Sequence, residues 1–172
     1  MPSYDASRAK VHVLTFKDGL LSKIAHDLKI EAKKLEVEVG EGAIVATVDA
    51  RSLRVVCARK DGRDAPGTLS SSDKSKIEGN IQNDVLDTRR HPEIKFESRE
   101  ITRDGDRNAV IQGTLTLHGR SQPLTVRAKL VDGMWSAEFP IDQPKFGIKP
   151  YSAMMGTLKI QPVVRVQVEV PE

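Results

Sequence analysis

The chain has 172 residues, 30% of them charged, with a net charge of only +3. That length supports a single domain, residues 1–172, with a real core. The balanced charge and an aromatic content of 4% argue against a nucleic-acid partner, since a single-strand platform needs aromatics interleaved with basic residues.

Side chains along a strand point to opposite faces with period two, so alternation of apolar and polar residues marks a half-buried strand. Residues 9–16 are the first such segment, with Val11 and Val13 on one face. Lys17-Asp18-Gly19 breaks it, and residues 19–24 read as a turn or a short helical crossing. Residues 26–32 then set His26, Leu28, Ile30 and Ala32 against Asp27, Lys29 and Glu31. Residues 35–39 continue with Leu35, Val37 and Val39, and the two extra residues Lys33 and Lys34 predict a bend or bulge. After the Gly40-Glu41-Gly42 turn, Ile44, Ala46, Val48 and Ala50 share the apolar phase, and Ser52 to Val56 extend the arm. Residues 58–69 read as a polar loop.

Residues 71–86 predict the one helix, with Ser71, Ser72 or Asp73 as N-cap. Ile77, Ile81 and Val85, with Leu86 beside them, form a narrow apolar stripe on an otherwise charged helix, which Gly79 weakens. Such a helix either packs on the flank of a sheet or lies as a lid over a cavity mouth. Pro92 holds His91 extended, and Ile94, Phe96 and Ser98 alternate with Glu93, Lys95 and Glu97. A hairpin follows Asp104-Gly105-Asp106. Ile111, Gly113, Leu115 and Leu117 line one arm, His118-Gly119-Arg120 turns, and Leu124, Val126, Ala128 and Leu130 line the other. Asp132-Gly133 is a tight turn before Trp135, Ala137, Phe139 and Ile141. Residues 140–150 are irregular, and 157–170 form the last strand, with Val164, Val166, Val168 and Val170 in phase.

About eight strands with one polar face each, joined by short turns, give an all-β fold. The expected architecture is a single antiparallel up-and-down β-barrel of about eight strands with one amphipathic helix. Cys57 is the sole cysteine, so no intrachain disulfide can form. MPSYDASRAK has no apolar signal region and no run of about 18 apolar residues occurs. A cytoplasmic location is expected for the sequence as written, a periplasmic one if a leader has been removed, with transient membrane contact at most.

Two central segments carry a family resemblance: His91, Pro92, Ile94 and Phe96 of HPEIKFES, and Gly113, Leu115, Thr116, Leu117, Gly119 and Pro123 of GTLTLHGRSQPLTV. With Phe146-Gly147-Ile148 before a long final strand, they resemble the YceI-like family of lipocalin-like, polyisoprenoid-binding barrels, over nearly the whole chain. The chain departs from that pattern in A-H-D-L at 25–28 and in the Met-rich FGIKPYSAMMG. The resemblance implies an apolar channel for a polyprenol, a polyprenyl phosphate or a quinone tail, with no covalent cofactor; a homodimer is compatible with it.

An apolar inward phase is either solid core or a channel wall. Small residues at Ala32, Ala46, Ala50, Gly113, Ala128 and Ala137, with only Phe96, Trp135 and Phe139 as aromatics, leave volume for a tenant. The channel lining is therefore assigned to Leu28, Ile30, Phe96, Leu115, Val126, Trp135, Phe139 and Val166. His26 is either a buried, satisfied histidine or a headgroup contact at the mouth. Lys145 and Lys149 are either solvated or phosphate contacts, and Met134, Met154 and Met155 are gap-fillers or an adaptable rim. No metal-ligand spacing, G-x-S-x-G elbow or P-loop occurs, so neither a metal site nor a catalytic residue is expected. The alternatives to a non-enzymatic lipid carrier or store are a solid-core protein-interaction module and, less favoured, an enzyme on a lipid-like substrate.

Overall fold

A computed structural model describes residues 2–18, 25–156 and 158–172. The crossing expected at 19–24 lies outside them. The strands are β1 (Ser3–Asp5), β2 (Lys10–Thr15), β3 (Lys17–Asp18), β4 (Asp27–Ala32), β5 (Leu35–Gly40), β6 (Ala43–Asp49), β7 (Leu53–Lys60) and β8 (Arg63–Ala65). After helix α1 (Ser71–Asn80) come β9 (Glu93–Asp104), β10 (Asn108–Leu117), β11 (Arg120–Val131), β12 (Met134–Asp142), β13 (Ser152–Ala153), β14 (Leu158–Ile160) and β15 (Val163–Pro171). Twelve of them make one antiparallel sheet in the order β1-β5-β6-β9-β10-β11-β12-β15-β2-β4-β7-β8, and β13, β14 and β3 make a small second one.

Twelve strands stand where about eight are expected, largely because two long arms are broken. Lys33-Lys34 bends the first arm between β4 and β5, and the 3-10 turn Ala50–Ser52 breaks the second between β6 and β7. The two breaks face each other. Lys33 N–H donates to the Ser52 carbonyl (3.1 Å) and Asp49 N–H to the Lys34 carbonyl (3.0 Å). The β4–β5 arm and the β6–β7 arm are therefore one bent hairpin. One half of it begins the pairing order and the other half ends it, so the sheet curls round on itself. The polar stretch expected as a loop at 58–69 instead completes β7 and returns as β8 through Asp61 and Gly62, both at positive φ (52° and 74°). Such a pair closes a two-residue hairpin whose twist matches its strands.

Where β6 gives way to β7, the helix takes over as partner. Glu78 Oε1 accepts from Val55 N–H (3.0 Å), and Gln82 Nε2 donates to the Ala50 carbonyl (2.9 Å). Ile77, Ile81 and Leu86 pack against the core formed by Leu28, Ile30, Leu35, Leu53 and Val55. The helix continues past Asn80 as a π turn, Ile81–Val85. Its N-cap is Ser70, one residue before the three expected. Ser70 Oγ accepts from Asp73 N–H and Asp73 Oδ2 from Ser70 N–H, both at 3.0 Å. Asp73 is a short acidic stand-in for the Glu of a capping box. Ser70→Ala should cost about 1 kcal/mol in chemical denaturation, and an unchanged midpoint would show that the helix start is held by its packing alone.

Candidate functional site

The curled sheet encloses a cavity of about 660 Å³. No large side chain among the described residues is fully buried, and inward Phe96, Phe139, Ile94 and Ile111 remain half-buried. A solid core at native density would cover them; they stay accessible because they face the void.

Ile30, Phe96, Leu115, Val126, Trp135, Phe139 and Val166 all line this cavity, from six different strands. Leu28 does not: it is 7% exposed and packs in the core beside Ile30 and Val55. His26 does not line it either. It lies just before β4 and acts on Asp73, whose carboxyl is held below its usual range first by Ser70 N–H and only in small part by His26. Lys145 and Lys149 are exposed and outside the lining. The wall also contains Ile81, Val85 and Leu86. Their helical stripe was visible in the sequence, yet only the packing of the helix against the sheet turns it into channel wall.

One end of the cavity lies at the tips of the β5–β6, β9–β10 and β11–β12 hairpins. Here Arg103 stands 4.9 Å above the Trp135 ring, and both line the cavity with Pro2, Gly40 and Glu172. The pair leaves a cation over an aromatic face beside the opening. Pro2 and Glu172 are tied to this rim: Val39 N–H donates to the Pro2 carbonyl (2.9 Å) and Glu172 N–H to that of Gly133 (3.0 Å).

The opposite end is filled. A 3-10 turn, Gln143–Phe146, leads to Gly147 at φ 70°, and Gln143, Phe146 and Ile148 are buried at 7%, 5% and 3%. Gln143 Nε2 donates to the Gln161 carbonyl (3.2 Å). The two sequence motifs meet outside this plug. The His91 and His118 rings are 4.5 Å apart, His118 Nδ1 lies 3.3 Å from the Phe146 carbonyl, and a Cβ on Gly119 would come within 2.9 Å of the His91 ring. Both histidines thus hold the closed end together and stay off the lining.

Polar atoms on the wall are few. Thr15 Oγ1 is buried without a hydrogen-bond partner, and Thr15 lines the cavity. Among the described residues Arg103 and Glu172 are its only ionisable residues apart from Tyr4. The displaced pKa values belong to other groups. Burial pushes the His12 imidazole down, and the Lys33 ammonium bonded to Glu31 draws that carboxyl below its usual range. Among the described residues no group of three or more His, Cys, Asp or Glu is placed to hold a metal. The wall offers shape and apolar surface.

A model of the YceI-like domain matches residues 4–171. Burkholderia cenocepacia BcnA has a similar structure, with a TM-score of 0.66, 16% identity and coverage of 94% of both chains. A polyisoprenoid-binding domain from Saccharophagus degradans gives a TM-score of 0.62 at 10% identity, covering 97% of this chain and 94% of that one. At these identities the likeness is one of fold. A UPF0312 protein of Pseudomonas aeruginosa is 44% identical over 48 residues, 28% of this chain and 25% of that protein. A UPF0312 protein of Pseudomonas putida is 40% identical over 45 residues, so the match spans about a quarter of these curated relatives.

Proposed function

We propose that this chain, which belongs to the YceI-like domain family, is a non-enzymatic carrier or store for a long-chain isoprenoid held inside the curled sheet. The carrying observation is the apolar cavity of about 660 Å³, well within the range of ligand sites. On this reading the sheet acts as a barrel of eight long arms curled around the channel. From Trp135 to Ile141 the lining follows β12 for roughly 20 Å at about 3.4 Å per residue. That long, narrow shape suits one extended chain better than a compact ring system. Apolar burial at roughly 25 cal/mol per Å² needs no polar anchor; Thr15 Oγ1 offers one hydrogen bond to a ligand hydroxyl or carbonyl. The likeness in fold to a protein described as a polyisoprenoid-binding domain supports the class of ligand, which on this reading is a polyprenol, a polyprenyl phosphate or a quinone.

Organic extraction of the purified protein followed by mass spectrometry is expected to yield a stoichiometric prenyl lipid. A clean extract, together with no thermal stabilisation by added prenols or quinones, would overturn the reading.

A further inference from the structure

The hydrogen-bonded ladder around the channel is not continuous. β11 has 12 residues and β12 has 9, yet they pair only from Ala128↔Ala137 to Val131↔Met134. Beyond that point Arg120–Arg127 pairs with β10 alone and Glu138–Asp142 with β15 alone. The gap is closed again at its far end, where Gln122 Nε2 donates to the Lys145 carbonyl (3.0 Å).

The sequence explains why the ladder stops. Asp132 and Gly133, at φ 51° and 76°, make a two-residue turn, which places Val131 and Met134 opposite each other as a bonded pair. The N–H direction alternates along a strand. Pro123 lies eight residues before Val131 and Pro140 six after Met134, and the registers of β11 on β10 and of β12 on β15 carry no bulge. Both prolines therefore occupy positions whose N–H would cross the gap, and neither has one. Leu130 N–H, which donates to the Arg107 carbonyl on the β10 side, agrees with this phase.

Behind the gap stand Leu124, Val126, Phe139 and Ile141, all on the cavity wall. Outside, beside the last rungs of the ladder, lies a depression of about 580 Å³. Ala109, Ala128, Ser136, Ala137 and Val168 line both spaces.

We propose that the gap between β11 and β12 is a lateral portal through which an apolar chain enters and leaves the channel; the cargo rests on the carrier reading above. The missing donors disfavour an added peptide strand, which would need them. A hydrocarbon needs none, and it can slip in sideways without threading past Arg103 and Trp135.

Two measurements test this. The first needs no ligand. By amide hydrogen exchange, Thr125 and Arg127, which face the gap, should exchange at least about tenfold faster than Leu124, Val126 and Ala128, which face β10. Equal protection would show the strands to be zipped and overturn the portal. The second uses Arg127→Cys with Glu138→Cys in a Cys57→Ser background, bridged by a short bismaleimide. Single variants capped with N-ethylmaleimide are the controls. Release of dansyl-farnesol should slow at least about tenfold in the bridged protein with its stoichiometry kept; equal release rates would overturn the portal. Absence of binding in every variant would instead overturn the carrier reading, and the exchange measurement would still decide whether the wall is open.

Discussion

Replacing Ala46 and Ala137 together with phenylalanine is expected to abolish prenyl-lipid binding while leaving the protein at least as stable. Ala46 sits on β6 opposite Phe96 of β9, and Ala137 on β12 opposite Val168 of β15. Both line the cavity, so the added rings project into void and the usual cost of overpacking does not apply. Filling a void returns contacts that the wall now lacks, and thermal denaturation should show an unchanged or higher midpoint. A ligand, in contrast, loses the space. If each ring displaces on the order of 100 Å² of ligand contact, the loss is roughly 2.5 kcal/mol per ring, close to a hundredfold in affinity. Titration with dansyl-farnesol measures this directly. Full affinity in a well-folded double variant would place the lipid outside the cavity. Loss of folding would mean that these positions are packed core.

The sequence made the strand faces legible because a single period decides them. Seven of the nine assigned residues line the cavity for that reason. What alternation cannot give is position along the channel. Leu28 and Ile30 share a face, yet only Ile30 meets the void, because the cavity ends before Leu28 packs into the core. His26 shares the phase too, but it precedes the strand and lies toward the start of α1. The bend at Lys33-Lys34 was readable as two residues out of phase. The matching break at Ala50–Ser52 was not, since a short 3-10 turn inside an apolar arm leaves the composition unchanged. Nor was β8, because Arg63–Ala65 is polar and pairs only at an edge. The portal depends on which strand edges fail to pair. Pro123 and Pro140 were plain in the sequence, but their shared direction appears only once the Asp132-Gly133 turn sets the phase.

Gly113→Ala is expected to be the most damaging single methyl in the protein. Gly113 lies at the point where the β9–β10 register shifts, paired with Ser98 while Gln112 pairs with Glu100. A Cβ there would meet the Glu97 carbonyl oxygen at 2.3 Å and the Phe96 ring at 2.6 Å. The ring could rotate away into the cavity, but the carbonyl belongs to the ladder and can yield only if the bulge reforms. Backbone displacement of this kind costs about 3 kcal/mol, at the upper end of overpacking effects, or a fall of about 6–12 °C in Tm for a chain of this size. Phe96→Leu separates the two clashes. Made in the Gly113→Ala background, it should recover only the part due to the ring, and the remaining deficit measures the backbone clash. Complete recovery would mean that the glycine serves only to seat the aromatic ring. A neutral Gly113→Ala would mean that the β9–β10 bulge is not the native register. Because Phe96 and Leu115 pair across these strands and both face the void, a shifted register would also move the channel wall, so lipid binding should fall along with stability.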